Sequence, residues 1–474
     1  MPCGSRLNWR SIMLKLTTCD TRFGRREFLR VGGLSLGGLT LPGLLADPAN
    51  AAIGKLATGK SVIFLFQHGG PSQIETFDPK MSAPDGIRSA TGEIATKIPG
   101  VTFGGTFSRL AALADKLTIV RSFTTGDGNH DIKPVVGRDS GGANLGTLYS
   151  RVVGTNHPLT GMPTNAALFP RAVDPEREPA QKAFGNFEST GGLGSAFAPF
   201  VPGAGGDLQQ DMQLAIPADR LGDRRTLLTE LDRCRFALDA AGRKEGLDRM
   251  RDQAFGTIMG GVAGAFDLSK EDPRTVARYD TATLMTPDQI DRKWNNYKMY
   301  VDNVKTLGKL LLLARRLCEA GCGFVTVTTN FVWDNHADVN NTGVAEGMRY
   351  CGLPLDHAVS AFLEDVAERG LSDKILLVCC GEMGRTPRLN NNGGRDHWGG
   401  LAPLLLAGGR LKMGQVIGQS TRDAGEPATE PVRIPNLVST IMQTLFDVGE
   451  LRVTRGVPAE VLRAAAADPI PGVM

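Results

Sequence analysis

The chain has 474 residues, a formal net charge of +3, 41% hydrophobic residues and 22% charged residues, so it is long enough to bury a large core. The near-neutral balance, with no basic stripe interleaved with aromatics, argues against a nucleic-acid partner. Its 8 cysteines do not form a disulfide framework: beyond Cys3 and Cys19 they read as core thiols, with one disulfide left open if the compartment is oxidising.

The first segment stands apart from the fold. GRREFLR (Gly24 to Arg30) precedes an apolar, glycine-rich run from Val31 to Ala46, followed by the small-residue element Ala49-Asn50-Ala51. Paired arginines, then Phe28-Leu29, then a mild apolar stretch resemble a bacterial twin-arginine export signal. The run falls short of the roughly 20 apolar residues that span a bilayer. The expectation is a signal peptide over 1–51 that engages the twin-arginine export machinery. The mature chain, 52–474, would form a single domain in the periplasm or outside the cell, with no transmembrane segment.

Ser61 to Gln67 opens the mature fold as a continuous apolar run, which fits a strand buried on both faces of a parallel sheet, and it stops at His68-Gly69-Gly70-Pro71. After a helical stretch from Phe107 to Asp115, LTIVRS (Leu117 to Ser122) reads as a second buried strand. It leads into FTTGDGNHDIKPVVG, a polar loop bearing glycines. Residues 139 to 215 are rich in Gly and Pro and read as long loops and short helices, the first part of a loop-rich and helical insertion over about 139–300. Helices are expected over Asp223 to Ile258 and, from a Thr-Pro start to a glycine stop, over Thr286 to Gly321. GFVTVTT (Gly323 to Thr329) is a third strand and DHAVSAFLEDVAERGL the next helix. KILLVCC (Lys374 to Cys380) is a fourth strand, LAPLLLAGG (Leu401 to Gly409) a fifth, and Ile434 to Gly449 a closing helix. Strands alternating with helices predict an α/β fold with a doubly wound, mostly parallel sheet flanked by helices.

Ligands of such sheets bind beyond the carboxyl ends of the strands, and the chain delivers acids and imidazoles there. The first strand ends at His68, the second leads to His130-Asp131, the third to Asp334 and His336, and the fourth to Glu382 and Arg385. The loop before the fifth carries Asp396-His397 in GRDHWGG. Asp334 and His336 are two apart, so in an extended loop both face one way. Mixed imidazole and carboxylate ligands point to a divalent metal centre, and zinc, manganese and calcium are not distinguished. His357 begins an ordinary helix and reads as structural.

The segments HGGPSQIETFDPK, FVTVTTNFVWDNHAD, GEMGRTPRLNNNGGRDHWG and PLLLAGG resemble motifs of a family of exported bacterial proteins, domain of unknown function 1501. That family falls within the alkaline-phosphatase-like superfamily, together with sulfatases, and the resemblance covers about 61 to 450. It implies metal ions beyond a parallel sheet, with Asp334, His336 and His397 as ligands of one metal and Glu382 at the place of an acidic ligand. His68 stands at the first strand end, where the superfamily has an aspartate. The resemblance also implies a Ser, Thr or modified Cys nucleophile after an early strand. The candidates are Ser122, Thr124 and Thr125, just ahead of His130-Asp131, and none sits in a sulfatase C-x-P-x-R pattern. Arg385 would either clamp an anionic oxygen bidentately or pair with Glu382 or Asp396. Asp131 and Asp396 read as partners that orient neighbouring ligands, and Trp398 as packing that fixes its loop.

The function expected from these residues is an exported, metal-dependent hydrolase of phosphate or sulfate esters, acting on an anionic ester or polysaccharide-type substrate. Thr124, Thr125, His130 and Arg385 form the catalytic set, with His68, Asp334, His336, Glu382 and His397 as metal ligands. The alternative is a non-catalytic exported binding or surface-assembly protein that retains the fold.

Overall fold

The computed structural model describes residues 56–203 and 262–474. The expected signal peptide over 1–51 and the helix expected over Asp223 to Ile258 lie outside the described residues. Seven strands build the main sheet: β1 (Ser61–Phe66), β2 (Thr118–Val120), β3 (Asn165–Leu168), β4 (Phe324–Val327), β5 (Ile375–Cys380), β6 (Leu404–Gly408) and β7 (Gln415–Ile417). Their order across the sheet is β7-β2-β6-β5-β1-β4-β3. Neighbours β1, β5, β4 and β3 pair in parallel, as do β2 and β7.

The central strands are apolar throughout because both faces are covered. Val62, Phe64 and Phe66 face a core shared with α1 (Leu145–Val153) and α4 (Ile434–Leu445). Ile63 and Leu65 face the opposite core, filled by α2 (Tyr297–Glu319) and α3 (Gly352–Glu368). Alternation along an extended chain sends successive side chains to opposite faces, so each strand feeds both cores. The sheet is therefore mostly parallel and doubly wound, as its apolar runs predict. Among the described residues no helix is long and apolar enough to cross a membrane.

Three differences from the sequence reading have physical causes. Strand β6 runs antiparallel to both its neighbours, β5 and β2. An apolar run buried on two faces carries no sign of its direction. The loop-rich stretch after residue 139 contributes β3 as an edge strand, since NAAL is too short and too small to register as a strand pattern. The Thr286-Pro287 start caps only a 3-10 turn, Pro287–Gln289, and α2 begins later, at Tyr297.

The antiparallel strand matters for the site. Because β6 runs the other way, its amino end lies at the same edge as the carboxyl ends of β1, β4 and β5. The loop before β6 is thereby delivered to the loops that follow the other strands.

Candidate metal centre

The connections that follow β1, β2, β4 and β5 converge at that edge, the second bringing His130 and the last running on to β6. The loop after β1 brings Gly69, and the loop after β4 is laced to it by the Val332 and Trp333 N–H groups, which donate to the His68 carbonyl at 3.1 and 3.0 Å. Glu382 and Arg385 follow β5, and a two-residue antiparallel ribbon pairs Arg385 with His397. Glycines in GRDHWGG permit the close approach. A Cβ on Gly394 would overlap the His336 backbone, and one on Gly399 would overlap the Asp127 backbone, so only glycine lets this loop dock against both of its neighbours.

Asp334 is the hub. Its Oδ1 accepts from Arg385 Nη2 at 2.6 Å, and it lies 3.2 Å from His397 Nε2 and 3.5 Å from His130 Nε2. Its Oδ2 lies 3.0 Å from His336 Nε2 and accepts from the Asn341 amide at 3.0 Å. Glu382, fully buried, accepts the Gly69 N–H at 2.9 Å and sits 3.0 Å from His130 Nδ1. The ring centroids of His130 and His397 are 4.2 Å apart, and Phe184 and Phe331 wall the His130 ring at 5.0 and 4.6 Å. One ligand atom from each of His130, Asp334 and His397 fits within 4.8 Å of the others, the spacing at which a single cation is held.

Charge follows geometry. Burial of Asp334 favours its neutral form, but the hydrogen bonds from His130, His336 and His397 and the nearby Arg385 outweigh it and hold the carboxyl well below the usual range. Burial lowers His130, yet its bonds to Asp334 and Glu382 win and raise it. His336 is raised chiefly by its bond to Asp334. Burial pushes His68 down.

The cation-sized cluster and the expected ligand set share Asp334 and His397. His130, expected as a catalytic group, joins Asp334 and His397 in the cation-sized cluster, whereas His336 bonds to the other oxygen of Asp334. His68 is fully buried with both ring nitrogens unpartnered, packed edge-on against Phe66, Phe184, Phe187 and Phe331. Glu382 reaches the centre through His130.

Arg385 departs from the clamp expectation. It is fully buried and donates to the carbonyls of Gly69, Gly70 and Arg395 and to Asp334, so its donors are turned inward. Asp131 accepts the Lys133 N–H within its own turn. Asp396 is exposed and accepts from Asn390, so neither acid orients a ligand of the cluster. The Trp398 indole N–H donates to the Gly425 carbonyl at 2.6 Å and pins its loop.

Beside His397 opens a groove of about 580 Å³ bordered by Thr124, Asp127, Trp398, Glu426 and Arg433. Thr124 is the candidate nucleophile that borders it, while Ser122 and Thr125 are buried with unpartnered hydroxyls. Sequence reasoning missed Asn341 and Arg433. An amide seven residues after Asp334 carries no spacing signal, but Arg433 stands immediately before the Ile-Pro start of α4, a legible helix opening.

A family model described as Protein of unknown function (DUF1501) matches residues 59–456, the stretch that supplies every residue of the cluster and its groove. The chain belongs to the DUF1501 family. No curated protein matches this DUF1501 chain in sequence. Among solved structures it is similar to the PsFucS1 sulfatase from Pseudoalteromonas sp., at 10% identity, covering 90% of this chain and 78% of that one with a TM-score of 0.35. It is also similar to Ps i-CgsB in complex with k-i-k-neocarrahexaose, at 9% identity, covering 81% of this chain and 71% of that one with a TM-score of 0.30.

Proposed function

We propose that this DUF1501 protein is an exported, metal-dependent hydrolase of phosphate or sulfate monoesters. The observation that carries the reading is the cluster of His130, Asp334 and His397, with its ligand atoms within 4.8 Å of one another, beside an open groove. Imidazole nitrogens with a carboxylate oxygen suit zinc or manganese, whereas calcium takes oxygen ligands. A divalent ion held there would supply a Lewis acid for the ester oxygen.

The chain's own residues prepare the rest. Glu382 takes the Nδ1 side of His130 and so directs Nε2 toward Asp334. Arg385 and Asn341 hold one oxygen each of Asp334. Thr124 borders the groove, and its hydroxyl is assigned the attack on the ester there, with the alcohol leaving and water then releasing the anion from the residue. Export rests on Arg25-Arg26 and the apolar run behind them. Replacing both arginines with lysine should leave unprocessed precursor inside the cell, and mature protein outside at the parent level would refute export by this route.

A second reading is a non-catalytic binding protein. It is favoured by the direct Arg385–Asp334 ion pair, which supplies the carboxylate with a counter-charge that needs no metal. Assays of phosphate and sulfate monoesters with chelated and with zinc- or manganese-reloaded protein separate the two. The hydrolase reading expects turnover that disappears with chelator and returns with metal. Absence of turnover in every loading supports the second reading.

A further inference from the structure

We infer that Arg433 is the specificity-determining residue that reads the anionic group of the ester in this groove, a step that rests on the hydrolase reading above. Recognition of a phosphate or sulfate oxygen calls for a guanidinium or a cluster of N–H donors facing the substrate. Arg385 does not offer one, because it is fully buried and its donors end on backbone carbonyls and Asp334. Arg433 is placed differently. Its strand segment, Val432–Arg433, pairs in parallel with Phe123–Thr124, with Arg433 in register with Thr124. Register partners on neighbouring strands send their side chains to the same face, and Arg433 and the candidate nucleophile border one groove with His397.

The Arg433 side chain is also available. It is 58% exposed and pairs with Glu430 at 3.7 Å, a loose surface pair. Two acids, Asp127 and Glu426, also border the groove, and Asp127 is already paired with Lys133 at 2.7 Å. Arg433 also occupies the N-cap position of α4, a 12-residue helix, where its backbone N–H donates to Asn436 at 2.9 Å and its side chain makes no cap bond. Arg433 therefore opens a helix whose dipole favours negative charge at this end, and replacing the side chain leaves the backbone cap in place.

The test is titration of the purified protein with inorganic phosphate and with inorganic sulfate, followed calorimetrically, for the parent, Arg433→Gln and Arg433→Lys. Circular dichroism melts of the three proteins verify the fold. The expected result is saturable binding of at least one anion by the parent and a loss of about tenfold or more in Arg433→Gln, the size of one charge-assisted hydrogen-bonding contact. Arg433→Lys should fall between the two, because it keeps the charge and loses the planar fork. Equal affinity in the parent and Arg433→Gln overturns the assignment, as does a parent that binds neither anion. In monoester assays the same substitution should raise KM more than it lowers kcat. Arg433-dependent anion binding without turnover of any ester would leave the anion site standing and remove the hydrolase reading alone.

Discussion

Two buried carboxylates in this molecule, each reached by the loop GRDHWGG, are satisfied in different ways. Glu75 and Arg395 are both fully buried. Arg395 Nη2 and Nε donate to one oxygen of Glu75 at 2.8 and 3.0 Å, while the other oxygen accepts the Ser89 hydroxyl at 2.9 Å and the Ala90 N–H at 3.1 Å. One negative charge meets one positive charge and the polar valences close. Two residues further on, His397 reaches Asp334, which already has Arg385 and is also approached by His130 and His336. There one acid collects more donors than it needs, and Glu382 stands behind them. The first arrangement is a fastening. The second has ligand atoms to spare, which is what a cation site requires.

Removing the hub should have the largest effect. Asp334→Ala leaves the buried Arg385 without its carboxylate and should destabilise the protein by about 3–5 kcal/mol, in addition to abolishing metal binding. A denaturant melt with metal analysis checks both, and a variant that keeps its stability would mean that the hub is not a hub. Arg395→Met should cost about 3 kcal/mol because Glu75 is left charged and buried, whereas adding Glu75→Gln should restore most of that loss. Metal content should stay near the parent value in the double variant. If it falls with the fastening, the two regions are not separable.

A change of pH sharpens the same contrast with a smaller effect. In chelated protein His130 and His336 are raised above the ordinary value of 6.5, so their contribution is fully present below that value and is lost as the pH rises through the raised one. Metal-loaded protein should respond in the opposite sense, because the ligating imidazoles must be neutral. The difference in Tm between loaded and chelated protein should therefore widen as the pH rises through this range. A gap that narrows on raising the pH would contradict imidazole ligation. The smallest effect is expected at the exposed neighbour, where Asp396→Asn should change stability by no more than about 0.5 kcal/mol and leave metal content unaltered.

Much of this arrangement was legible in the chain. Apolar runs ending in His68, Glu382 and the loop of Asp334 announced both the sheet and the edge at which its chemistry gathers. The direction of β6 was not legible, because a two-faced buried strand reads the same both ways. The sequence already grouped its preceding loop, with His397, among the polar loops at that edge, and the direction of β6 is what brings it there. The choice between His130 and His336 also lay beyond spacing. Asp334 and His336 are close in sequence, yet the cation-sized gap is completed by a loop 204 residues earlier, at His130, as the difference of the residue numbers shows. Arg395 is visible in its motif but looks like any surface arginine until its burial against Glu75 is known.

Whether His130, Asp334 and His397 hold a metal ion is decided by metal content measured on parent, His130→Ala and His336→Ala proteins purified without chelator and then equilibrated with zinc or manganese. The expected result is about one ion per parent chain, a loss to well under that in His130→Ala, and retention in His336→Ala, whose imidazole meets Oδ2 of Asp334. A parent with no stoichiometric metal, or a His130→Ala variant that binds as the parent does, would contradict it.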